Sequence, residues 1–137
     1  MGWYISPSFR YSQYFSESGT NLFLGFYTIH PRNPTQLILA PFFGKVACQT
    51  ILFSPPKGVC GLAASTSTTQ LVPDIDLFPG HIACDSESAS EIVVPIVSGG
   101  KVVGVIDVDC AVKEGFDEVD KVWLERLAGL LGEGCDW

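Results

Sequence analysis

Ser90-Glu91-Ile92-Val93-Val94-Pro95-Ile96-Val97-Ser98-Gly99-Gly100-Lys101-Val102-Val103-Gly104-Val105-Ile106-Asp107-Val108-Asp109-Cys110 reads as two strands, 91–98 and 101–110, around a tight turn. Apolar, largely β-branched runs flank Ser98-Gly99-Gly100, and a Gly-Gly pair is a strong hairpin signal. Upstream, Leu22-Phe23-Leu24-Gly25-Phe26-Tyr27-Thr28-Ile29 and Gln36-Leu37-Ile38-Leu39-Ala40-Pro41 make a second strand pair across a Pro/Asn turn at 30–34. A third upstream strand is predicted over 47–53, with Ser54-Pro55-Pro56-Lys57-Gly58 as its exit loop. A short helix is expected over 59–67, a brief strand at Gln70-Leu71-Val72-Pro73, and a loop over 74–84. Downstream, Asp117 can N-cap a last helix whose apolar face is Val119, Val122, Trp123, Leu127, Leu130 and Leu131, with Gly132 ending it. The sum is an α+β domain with a central, mainly antiparallel sheet and flanking helices.

Residues 1–20 differ from the rest. They are rich in aromatics (Tyr4, Phe9, Tyr11, Tyr14, Phe15) and carry neither helical nor strand periodicity, so they are read as an irregular arm before a domain spanning 21–137.

At 137 residues the chain is long enough for one core, and 47% hydrophobic against 17% charged residues argues for a folded domain. The net charge of −7 is uneven. Glu17 is the one acid in residues 1–70, whereas fourteen acids face four bases in 71–137. That balance argues against nucleic acid and against an anionic membrane surface, both of which need a basic face. No apolar run approaches the ~20 residues of a membrane span, and the first residues lack the basic flank and apolar stretch of a secretory signal. The expectation is a soluble cytoplasmic protein. Five cysteines, an odd number, do not make a disulfide framework, and none are spaced C-x-x-C for zinc; no metal is expected.

Cys48, Cys60 and Cys84 lie in small-residue settings, Val46-Ala47-Cys48-Gln49, Gly58-Val59-Cys60-Gly61 and Gly80-His81-Ile82-Ala83-Cys84-Asp85. Cys84, in a loop, is the best placed nucleophile; a second thiol, Cys48 or Cys60, can capture a sulfenic acid as a disulfide. Asp107 and Asp109 share one face of a strand by its period of two, and Glu91 opens another strand. By spacing alone such acids are usually the wet side of a sheet, and such cysteines buried filler.

These stretches, with Gly25-Phe26-Tyr27, Leu37-Ile38-Leu39-Ala40-Pro41-Phe42-Phe43-Gly44-Lys45-Val46-Ala47-Cys48 and Lys57-Gly58-Val59-Cys60-Gly61, closely resemble the free methionine-(R)-sulfoxide reductases, single-domain GAF enzymes. The resemblance runs from about residue 21 to the C-terminus. It implies a GAF-like fold and reduction of free methionine (R)-sulfoxide. Cys84 falls at the attacking cysteine, Cys48 at the resolving one, and Cys60 at a third that forms an alternative or assisting disulfide. Glu91, Asp107 and Asp109 fall at acids that hold the substrate and polarise the sulfoxide, and Phe23 and Tyr27 at the substrate wall. Thioredoxin is implied as external reductant, with no metal or organic cofactor; a homodimer is compatible with the family. The other reading is a GAF ligand-binding or redox-sensing module that has lost efficient turnover.

Three departures stand against the family pattern. Phe23 stands where a Trp is usual. The stretch between Cys48 and Cys60 is two residues longer, with Pro55-Pro56 as the insertion. The leading helix has no counterpart, so apolar surface around Val122, Trp123 and Leu130 is expected to be uncovered, at a cost of ~1.5–3 kcal/mol per large side chain.

Overall fold

Among the described residues, two-residue alternation of apolar side chains builds a six-stranded antiparallel sheet with a helix on each face. The computed structural model describes residues 21–45, 47–80 and 87–137. The aromatic arm 1–20 lies outside them, as do His81, Cys84 and Asp85. The strands are β1 (Asn21–His30), β2 (Asn33–Gly44), β3 (Thr50–Leu52), β4 (Gln70–Val72), β5 (Ser90–Ser98) and β6 (Lys101–Cys110), in the spatial order β3-β2-β1-β6-β5-β4. Helix α1 covers Gly58–Thr66, α2 covers Glu118–Gly134, and a 3-10 turn lies at Ile75–Leu77.

The β5–β6 hairpin forms where the sequence places it. Ser98 pairs with Lys101, and Gly99 (φ 57°) and Gly100 (φ 79°) supply the two positive φ angles of the turn. β2 is longer than expected, and its turn from β1 shrinks to Pro31-Arg32. β3 is shorter than the expected 47–53, because the chain turns back at once: Phe53 bridges Pro56, and Lys57 N–H donates to Leu52 O at 2.9 Å. The Pro55-Pro56 insertion is thus absorbed in a closed turn that delivers the chain into α1.

Period two sends alternate side chains to two cores. Ile92, Val94, Ile96, Ile106 and Val108 point at α2, meeting Leu124 and Ala128. Phe23, Tyr27, Val93 and Val105 point the other way, toward Val59, Cys60, Ala63 and Ala64 of α1.

Helix α2 starts as expected. Asp117 accepts from Val119 N–H (2.7 Å) and Asp120 N–H (3.1 Å), while Asp120 Oδ2 accepts from Asp117 N–H at 2.9 Å, a reciprocal cap. Its end and its buried face differ from expectation. The helix runs on to Gly134, and Gly132 is interior, where a Cβ would lie 2.1 Å from Val97 O. The sheet-facing residues are Leu124, Ala128, Leu131 and Gly132; of the expected face only Leu131 packs. Val119, Val122, Trp123, Leu127 and Leu130 are exposed. The reason is steric: a helix lying this close to a strand buries its small residues, and the bulky apolar ones are left on the outer side. Among the described residues no helix is long and apolar enough to cross a membrane.

Candidate active site

Cross-strand register assembles the site on the α1 face. Phe23 of β1 stands opposite Asp109 of β6, and Asp109 opposite Glu91 of β5; two residues along, Gly25 faces Asp107. The strands therefore bring three carboxyl groups, distant in sequence, under the first turn of α1. Cys60, on that turn, donates its thiol proton to Asp107 Oδ2, with Sγ and oxygen 3.2 Å apart. Glu91 and Asp107 are only 6% and 5% exposed, and Cys60 4%. The expectation of a wet sheet face for these acids is overturned because α1 closes over this side.

Burial sets the chemistry of these groups. It pushes the Glu91 carboxyl well above the usual carboxylate range, and the charges of Asp107 and Asp109 push it further. Asp107 is likewise held well above, by burial first and Asp109 second, with the hydrogen bond from Cys60 acting in the opposite direction. The two carboxyl groups are within hydrogen-bonding reach of each other. Two carboxylates can make that contact only if one keeps its proton; with both ionised, Asp107 Oδ1 faces no donor among the described residues. The pair therefore shares a proton well above the pH at which an exposed acid has lost its own. The Cys60 thiol is also pushed up, by burial and then by Asp107 and Glu91. A thiol in a helix's first turn usually becomes more acidic; here desolvation and the acids outweigh the helix end.

The remaining wall is aromatic. Phe23 stacks on Phe42 with ring centroids 5.7 Å apart, and Tyr27 lies 6.4 Å from Phe23. Tyr27 Oη donates to the Cys48 carbonyl at 2.9 Å, fixing the chain at Cys48 over the sheet, and burial pushes its phenol pKa up. Ser88 Oγ donates to Asp109 Oδ1 at 2.6 Å. An exposed ion pair, Lys45 with Glu87, links the end of β2 to the segment entering β5. Cys48 is disulfide-bonded, whereas Cys60, Cys110 and Cys135 are free.

The structure thus brings together Cys48, Cys60, Glu91, Asp107, Asp109, Phe23 and Tyr27; Cys84 lies outside the described residues. Sequence reasoning missed three contributors. Phe42 backs Phe23. Ser88 supports Asp109. Gly25 makes room for the wall, since a Cβ there would lie 2.4 Å from Phe23 Cζ and 2.8 Å from Phe42 Cβ. A glycine inside an otherwise bulky strand was the available signal. The donor atoms of Cys60, Glu91 and Asp107 lie within 4.8 Å of one another, a spacing a metal ion could use; protonated, the same groups hold one another by hydrogen bonds.

The GAF-domain family profile matches residues 16–134. The chain is 60% identical over 112 residues to the free methionine-R-sulfoxide reductase of Saccharomyces cerevisiae, covering 81% of this chain and 61% of that protein. A solved GAF-domain structure superposes with a TM-score of 0.85 at 54% identity, covering 93% of this chain and 71% of the other. The free methionine-R-sulfoxide reductase of Neisseria meningitidis, solved with its substrate, superposes with a TM-score of 0.77 at 45% identity over 82% of this chain and 65% of its own. The chain spans between 58% and 66% of the length of the curated relatives it matches.

Proposed function

Because the chain belongs to the GAF-domain family, in the group of the free methionine-R-sulfoxide reductases, we propose that it reduces free methionine (R)-sulfoxide to methionine with its own thiols. The observation that carries this reading is the pair of buried carboxyl groups, Glu91 and Asp107, which keep a proton beside an aromatic wall and the cysteines.

The Cys84 thiolate attacks the sulfoxide sulfur. As the S–O bond breaks, the oxygen passes to Cys84, which becomes a sulfenic acid, and methionine leaves as the thioether. The Glu91–Asp107 pair gives its shared proton to the sulfoxide oxygen as that bond breaks, the part played by a general acid, and regains one from solvent afterwards. Asp109, held by Ser88, receives the substrate's ammonium group, and Phe23 and Tyr27 enclose its methyl end. Cys48 then attacks the sulfenic sulfur, forming a disulfide and releasing water. Reduced thioredoxin restores both thiols as its own dithiol is oxidised, so no metal or organic cofactor enters. That Cys48 is disulfide-bonded while Cys60 is free supports Cys48 as the resolving thiol.

The test is consumption of reduced thioredoxin with free R and free S sulfoxides, for the parent and for Cys84→Ser. Turnover of the R form by the parent alone is expected. Activity on the S form, or none on either, overturns the reading.

A further inference from the structure

The reaction above assigns no step to Cys60, yet this thiol is the group of α1 that touches the acids. We infer that Cys60 is a positioning residue of the proton-donating step: its S–H anchors Asp107 through Oδ2 and leaves Oδ1 for the proton shared with Glu91. The inference rests on the proposed reduction and extends it.

Geometry carries it. The Sγ–Oδ2 separation is 3.2 Å, both groups are buried, and Oδ1 of the same carboxyl meets no donor among the described residues. Cys60 is fixed where it is by a backbone that allows no slack. Its neighbour Gly61 lies so close to β3 that a Cβ there would be 2.5 Å from Leu52 O. A thiol held this way, with its proton committed to a carboxylate, is a poor nucleophile, and its S–H, a weak donor, is fixed on Asp107. The division of labour follows: Cys48 belongs to disulfide exchange and Cys60 to the acid pair.

Among the described residues, the groups facing Asp107 are Cys60 from α1, Glu91 from β5, Asp109 from its own strand β6 and Tyr27 from β1. The hydrogen bond from Cys60 favours the ionised form of Asp107, against burial and against the charge of Asp109. Removing that donor should raise the pH at which the pair loses its proton, and a stronger donor should lower it.

Two variants test this in opposite directions. In Cys60→Ala the donor is gone, so the falling, high-pH limb of kcat for free methionine (R)-sulfoxide moves to higher pH than in the parent. In Cys60→Ser an O–H replaces the weaker S–H, and the limb moves to lower pH. At one pH on that limb, each rate taken against its own plateau, the variants are expected to differ by about twofold to tenfold. Loss of packing alone lowers both plateaus and does not send the limbs apart. A limb that stays put in both variants, or moves the same way in both, overturns the inference. A second readout needs no turnover: the pH dependence of denaturant stability should shift in the same opposite senses. If the parent reduces no sulfoxide, the proposed reaction falls, and the stability profiles alone decide whether Cys60 sets the pair's proton affinity.

Discussion

Replacing Gly132 by Ala should lift α2 off the sheet, and the same substitution three residues earlier supplies the control. A Cβ on Gly132 would sit 2.1 Å from Val97 O and 3.0 Å from Val97 C, both backbone atoms of β5 that cannot swing away. Ordinary contact between non-bonded heavy atoms is about 3.5 Å, so the helix must retreat by roughly 1 Å; a gap of that size forfeits about a quarter to a half of the dispersion at the contact. Leu124 and Ala128, which pack on Ile92, Val94 and Ile106, share that loss. Overpacking of this kind costs about 1–3 kcal/mol. Against it stands the ~1 kcal/mol that Gly→Ala returns inside a helix. At Gly129 a Cβ meets no heavy atom of the described residues within 4 Å, so Gly129→Ala keeps the return and escapes the clash. Propensity cancels between the two variants, leaving Gly132→Ala the less stable by about 1–3 kcal/mol. Paired urea melts read the difference directly, and scanning calorimetry should separate the two Tm values by about 3–5 °C per kcal/mol. Equal midpoints, or a Gly132→Ala variant that melts later, refute the close helix–strand approach on which the whole outer layer depends.

Other outcomes follow from the site and the surface. Glu91 and Asp107 bind protons more tightly folded than unfolded, so the folded chain holds more protons above the ordinary carboxylate range. Stability should therefore fall as pH rises from about 4 through the raised values, and Asp107→Asn should flatten that fall; an unchanged slope in urea melts across this window counts against the buried pair. Gly25→Ala drives a Cβ into Phe23 and Phe42 and should raise KM for the sulfoxide more than it lowers kcat; steady-state kinetics with KM unchanged would show that this wall does not bind substrate. Leu130 is 69% exposed, so Leu130→Lys should change stability by no more than about 0.5 kcal/mol; a loss above about 2 kcal/mol in a denaturant melt would mean that the outer face of α2 is covered.

Local signals in the sequence translated into structure wherever the cause was itself local. Gly99-Gly100 had to turn the chain, and Asp117 had to cap whatever helix followed it. The faces of elements were harder to read. Helix α2 carries more bulky apolar residues than its contact with the sheet can take. Counting them selects Val119, Val122, Trp123, Leu127 and Leu130, the exposed side, whereas close packing selects Ala128 and Gly132. In the candidate site, strand period placed Asp107 and Asp109 on one face but could not say which face α1 would cover. That choice is tertiary. Cys60 shows the same limit: nothing in Gly58-Val59-Cys60-Gly61 reveals that its proton meets an acid 47 residues away.

The burial of those acids is itself an argument about function. A carboxyl group withdrawn from water and set beside two others opposes folding at neutral pH, and the opposition grows as protons leave. Apolar residues of similar volume would relieve it, since buried charged groups are often replaced at no loss or with a gain in stability. Nothing about the sheet requires acids there: Val93 and Val105 occupy the same face, fully buried, on the same strands. The hydrogen bonds that Cys60 and Ser88 direct at Asp107 and Asp109 reduce the cost without removing its source. An arrangement that costs stability and rests on four elements, α1, β1, β5 and β6, fits a site whose task needs a proton retained where water is scarce. Reduction of a sulfoxide, whose oxygen must accept a proton as its bond to sulfur breaks, is such a task.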